Sequence, residues 1–234
     1  MRRVIRVFWG RRPEPVESVA ARWRQTLEQV APLLSSVPAV AELRWRQVRA
    51  SGPPTPVSVG ELVSLLIDAQ SAEPWSDRVG VGLRVIAGTT AGLELEISGV
   101  AGGEPEYLLQ STVLAVESPE GVVIDEVGLL AMLATIWEPD FGDVTDDAIL
   151  DALEDDAGYT VGEPVVGRVG YLSPGRARLV PHGEAMARID LPSGGVLLTV
   201  ADPGDVEAVV DGYRRLDAAG VLRPLATPLE RATL

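Results

Sequence analysis

From Val79 to Glu117 the chain holds to a two-residue period. Val81 to Ala87, Leu93 to Ile97 and Tyr107 to Val116 alternate apolar with polar or small residues, and the gaps between them are Gly88 to Gly92 and Gly99 to Gly103. Alternation interrupted by short glycine-containing turns reads as three consecutive antiparallel strands. Within the middle segment Glu94 and Glu96 share one face, so that face is expected to meet water.

The flanking segments carry a different period. Residues 3 to 9 form another strand candidate, rich in β-branched and aromatic side chains. Pro13 and Pro15 then open a helix in which Val16, Val19, Ala20, Trp23, Leu27, Val30 and Ala31 recur at spacings of three and four. Glu42 to Val48 alternates as a half-buried strand would, and Ser58 with Glu61 has the spacing of a capping box ahead of a second helix. Asp125 to Trp137 is apolar almost all round, which predicts a helix buried against the sheet. Thr145 is placed to cap a short helix reaching Leu153. Val165 to Leu172, Ala185 to Leu191 and Val196 to Val200 read as further strands, and Asp205 to Ala219 as a last helix stopped by Gly220. These elements predict an α+β fold, a central mostly antiparallel sheet flanked by helices. With no repeat or linker in sight, a single domain is expected over residues 1–234.

Composition removes several kinds of chemistry. The chain has no cysteine, lysine or asparagine, which excludes a thiol nucleophile, a disulfide framework, a Walker-type lysine loop, a Schiff-base lysine and an N-glycosylation site. One histidine, His182, cannot build the usual zinc site without carboxylates, and beside Gly183 it reads as a turn residue. Neither Ser173 nor Ser193 sits in a Gly-x-Ser-x-Gly elbow, and Gly80-Val81-Gly82 lacks the third glycine of a dinucleotide fingerprint. No cofactor is expected. Met1-Arg2-Arg3 resembles the start of a signal peptide, but Arg6 interrupts the apolar stretch behind it, and the longest apolar run, Val127 to Ile136, is about half a membrane span. A cytoplasmic protein without membrane contact is the expectation.

Charge is distributed unevenly. Residues 1 to 50 carry a net +6, residues 51 to 163 a net −20, and the remainder balances. Between Glu138 and Glu163 lie ten carboxylates and no basic residue, a field that repels nucleic acid and draws cationic proteins. No calcium-loop spacing appears among these acids, although a carboxylate metal site remains open on periodicity alone. On a helix from Asp146, Ile149, Leu150 and Leu153 fall on one side and Asp147, Asp151, Glu154 and Asp155 on the other. Acids in the first turn suit the helix dipole, but those toward the C-terminal end oppose it, and pairs such as Asp147 with Asp151 repel. A solvated acidic face is the ordinary account of such a run. Trp9, Trp23, Trp45, Trp75 and Trp137 read as core or near-core residues, while Phe141, in a turn held by Pro139, could offer an aromatic anchor beside Glu138 and Asp140.

Several of these motifs occur in a telling order. Phe8-Trp9-Gly10 ends the first strand and Trp137-Glu138-Pro139-Asp140-Phe141-Gly142 ends the apolar helix. Gly170-Tyr171-Leu172-Ser173, Gly194-Gly195-Val196 and a closing Gly220-Val221-Leu222-Arg223-Pro224-Leu225 follow. Together they resemble the immunity protein 52 family of bacterial polymorphic toxin systems, the Trp-x-Pro-Asp-aromatic-Gly element being the most specific part. The resemblance implies an α+β protein, without enzymatic activity, that binds and neutralises a cognate toxin in the cytoplasm, often a nuclease of restriction-endonuclease-like fold. On that reading Glu138, Asp140, Phe141, Asp143, Asp147, Asp151, Glu154 and Asp155 contact the toxin. A carboxylate-dependent metallohydrolase and a non-enzymatic scaffold are the alternatives.

Overall fold

The computed structural model describes residues 2–34, 40–72, 76–181 and 186–234. Its strands are β1 (Arg2–Trp9), β2 (Arg46–Gln47), β3 (Thr55–Pro56), β4 (Gly80–Gly88), β5 (Glu94–Gly102), β6 (Gln110–Glu117), β7 (Phe141–Thr145), β8 (Val169–Leu172), β9 (Ala187–Asp190) and β10 (Val196–Thr199). They form one sheet in the order β3-β2-β4-β5-β6-β1-β7-β8-β10-β9. Every neighbouring pair is antiparallel. The helices are α1 (Val16–Leu33), α2 (Leu62–Ala72), α3 (Ser76–Val79), α4 (Glu126–Trp137), α5 (Asp147–Ala157), α6 (Pro174–Ala177) and α7 (Val206–Ala218). The fold is α+β, and none of the described helices is long and apolar enough to cross a membrane.

Strand alternation sorts the core into two clusters on opposite faces. On the first face α1, α2 and α4 cover Ile5, Val7 and Trp9 of β1 together with the inward residues of β4, β5 and β6. Trp137 at the end of α4 stacks on Trp9 at 5.4 Å and meets Trp23 of α1 edge-on at 5.6 Å, and its indole N–H donates to Thr26 Oγ1. Trp45 packs at the margin of this cluster, and Trp75 lies outside the described residues. On the second face α5 and α7 cover Val196 and Leu198 of β10, whose neighbour Leu197 belongs to the first cluster. Over β4 to β6 the second face is left half-buried or exposed, and Arg84 pairs there with Glu96 across the strands.

Five local readings change. Ser58 makes no side-chain cap; a one-turn helix at Val59–Glu61 leads into α2 instead. Asp146, not Thr145, caps α5, because Thr145 is the last residue of β7 and its backbone is engaged with β1. The strand expected at Glu42 to Val48 shortens to Arg46–Gln47, and the one at Val165 to Leu172 to Val169–Leu172. β6 starts at Gln110, so Tyr107 to Leu109 belong to the loop before it.

β7 has no obvious signature in the sequence. Phe-Gly-Asp-Val-Thr contains two poor strand formers, yet it runs through the middle of the sheet with β1 on one side and β8 on the other. Gly142 is required there, since a Cβ would lie 2.8 Å from the Arg6 carbonyl oxygen and 2.9 Å from a Val7 methyl.

Candidate functional site

α4 ends at Glu138, which takes the left-handed conformation (φ 45°, ψ 55°) usually given to glycine. Its carboxylate is paired with Arg22 at 3.0 Å and its carbonyl accepts from Arg12, although the side chain is 62% exposed. The chain then turns at Pro139, and the Asp140 backbone joins the sheet by donating to the Phe8 carbonyl and accepting from the Ser173 N–H.

The Asp140 carboxylate is completely buried. It accepts from Arg176 Nε (2.9 Å) and Nη2 (2.6 Å), from Ser173 Oγ (3.1 Å) and from the Leu234 backbone N–H (2.8 Å). Arg176 spends its remaining Nη1 on the carbonyls of Val221 and Arg223. Phe141 is 2% exposed, stacked on Phe8 at 5.1 Å with the Arg176 guanidinium 5.4 Å from its ring centroid. Asp140 is closed off from any partner, and Phe141 is not an exposed anchor but shows no more than an edge to the pocket it walls, which corrects the expectation for both. The Pro139-Asp140-Phe141 turn knots α4, α6 and the C-terminal segment to the sheet.

Asp143 is corrected in the same way. It lies directly across from Arg6 in the β1–β7 register, fully buried, and accepts from Arg6 Nε (3.0 Å) and Nη2 (2.9 Å) and from Thr145 Oγ1 (2.9 Å). All three bonds fall on Oδ1, while Oδ2 has no partner. Burial pushes the carboxyl above the usual carboxylate range, and Arg6 and Thr145 oppose that only in part. Burial also acts to lower the Arg6 guanidinium, but Asp143 and Tyr159 together outweigh it and the net direction is upward.

α5 presents the opposite case. Asp146 caps it by accepting from the Ile149 N–H at 3.0 Å and gives its other oxygen to Arg168 at 2.8 Å, which also binds Glu126. Ile149 and Leu153 are buried, and Asp147, Asp151, Glu154 and Asp155 are exposed, joined by Asp156. None of these five carboxylates takes part in an ion pair among the described residues. Even Arg214 of α7, which reaches the end of α5, binds the Asp156 backbone carbonyl and pairs with Asp211 of its own helix, not with an α5 carboxylate. That contact satisfies a terminal carbonyl where positive charge suits the helix dipole.

The eight predicted residues therefore separate into two groups. Glu138, Asp140 and Asp143 are answered by the protein's own arginines and Phe141 is sealed in, whereas Asp147, Asp151, Glu154 and Asp155 stand together in water. Among the described residues no three acids or histidines converge as for a metal ion, and His182 lies outside those residues. A scan against protein-family models finds no match, and no curated protein matches the chain. The likeness to immunity proteins thus rests on its motifs alone, and the most specific of them is a structural knot.

Residue-by-residue reading missed a second exposed group. Tyr107 is 69% exposed, Leu108 61% and Val161 77%. In the sequence Tyr107 and Leu108 look like the start of a strand, and their loop position follows only from where pairing with β1 and β5 begins.

Proposed function

We propose that the chain is a stoichiometric binding protein of the immunity type, which docks through the outer face of α5 on the cationic surface of a cognate toxin. The resemblance makes that toxin a nuclease, and a nuclease groove built for phosphodiesters has the positive field that α5 would meet. What supports the reading is the set of exposed α5 carboxylates that have no counter-ion among the described residues. Opposite fields of this kind raise encounter rates about 10- to 1,000-fold, and fast capture is what an antidote acting in the cytoplasm needs.

The test is the association rate with the toxin encoded beside this chain, measured at low and high salt. Reversing Asp147, Asp151 and Glu154 together to arginine is expected to slow association at least tenfold in low salt and to remove most of its salt dependence. An on-rate unchanged by the triple reversal would reject α5 as the docking face.

A further inference from the structure

A pocket of about 120 Å³ is walled chiefly by Tyr107, Leu109, Phe141, Pro164, Leu225 and Leu229, with Gly162, Pro224 and Thr227 completing its lining. We infer that it takes one apolar side chain of the same cationic partner, a statement that rests on the docking role of α5. Cavities of roughly 150 Å³ lined by apolar side chains hold a benzene ring, so the space suits a single leucine or a similar group.

Its walls are held before any partner arrives. Phe141 is clamped between Phe8 and the Arg176 guanidinium, and the Leu229 N–H donates to the Glu106 carbonyl at 2.7 Å, tying the C-terminal wall to the loop that carries Tyr107. A preformed pocket avoids the ordering cost of building one on contact. Tyr107 itself is largely exposed, and so are Leu108 and Val161, the chain neighbours of the lining residues Leu109 and Gly162, the composition expected of an anchor point.

The pocket is also close along the chain to the acidic helix. Gly162 follows the α5 cap, Gly158, by four residues, at most about 14 Å of chain. The intervening turn is fixed by the Tyr159 N–H on the Leu153 carbonyl and the Glu163 N–H on the Thr160 carbonyl. Charge around the pocket is asymmetric. The α5 acids precede its Gly162 wall and Glu163 follows it, the Tyr107 loop carries Glu106 already paired with Arg78, and the segment holding Leu225 and Leu229 carries Arg223 and Arg231 together with Glu230. The complementary partner segment has one apolar side chain with a cationic cluster on one side of it only.

Two labelled peptides test this by fluorescence anisotropy: one leucine, two glycines and four arginines in that order, and its twin with glycine in place of the leucine. The leucine peptide is expected to bind the intact protein about tenfold more tightly, the worth of one buried leucine side chain. Tyr107→Ala, at a residue exposed enough not to disturb the fold, is expected to shrink that ratio toward one without altering salt dependence. The Asp147→Arg, Asp151→Arg, Glu154→Arg variant is expected to weaken both peptides equally and keep the ratio. Equal affinities for the intact protein, or a ratio that survives Tyr107→Ala, would overturn the pocket while leaving α5 standing. If the triple reversal leaves both affinities unchanged, the α5 reading itself falls.

Discussion

Arg176 and Asp140 meet at 2.6 Å with neither side chain reaching solvent. Every Arg176 nitrogen has an acceptor, and the Asp140 carboxylate has four donor contacts, so the desolvation cost of the two charges is offset by a complete set of charge-assisted bonds. The pair joins β7 to α6 and to the chain beyond α7, three places far apart in sequence.

Removing one partner leaves the other charge buried and alone. Arg176→Ala is expected to lower the unfolding free energy by about 3–5 kcal/mol, read from urea denaturation. A loss below about 1 kcal/mol, the range of exposed pairs, would show that the knot is looser than its geometry.

Asp143 makes stability depend on pH in a definite direction. Its carboxyl is raised by burial, so the contribution it makes is fully present below the ordinary carboxylate value and is lost as pH rises through the folded value. The stability of the native chain relative to Asp143→Asn is therefore expected to fall as pH climbs from 3 toward neutrality. Urea titrations of both proteins across that range measure the gap, and a gap that widens with pH would contradict the assignment.

The acids of α5 are poorly arranged for stability. Asp151 repels Asp147 and Asp155, each one turn away, at about 0.2–0.5 kcal/mol per pair. Asp151→Arg turns both repulsions into attractions and is expected to raise stability by roughly 1 kcal/mol in low salt. For a chain of this length that is about 2–4 °C in Tm. In 1 M salt, where the screening length is about 3 Å, the gain should vanish. A loss of stability on substitution would mean that Asp151 is held by a favourable contact within the fold.

Glu138 closes α4 in a conformation that disfavours any side chain. Of two variants that both lack the carboxylate, Glu138→Gly is expected to exceed Glu138→Ala in stability by about 1 kcal/mol. Thermal melts of the two decide it, and equal melting points would place the helix end in another geometry.

Much of the architecture could be read from local pattern. β4, β5 and β6 were legible because one of their faces is buried and the other is not, so the side-chain period of two survives in the residue types. α4 was legible because it is packed on most of its circumference, and α5 and α7 because each has one apolar stripe and, in Asp146 and Asp205, a capping carboxylate. β7 was not, because its extended form comes from hydrogen bonds to β1 and β8, partners more than 130 residues before it and some 25 residues after it. Tyr107 and Leu108 were misplaced for the same reason, since alternation alone does not say where pairing begins.

The acidic stretch divides along the same line. Helical spacing alone put Asp147, Asp151, Glu154 and Asp155 opposite Ile149 and Leu153, because a residue's side of a helix is a local property. Whether a carboxylate meets water or an arginine depends on chain brought in from elsewhere: Arg6 reaches Asp143 across 137 residues and Arg176 reaches Asp140 across 36. Local order therefore defines the stripe, and only the assembled sheet, by closing over Asp140, Phe141 and Asp143, decides that within the acidic run the α5 carboxylates are the ones left facing water.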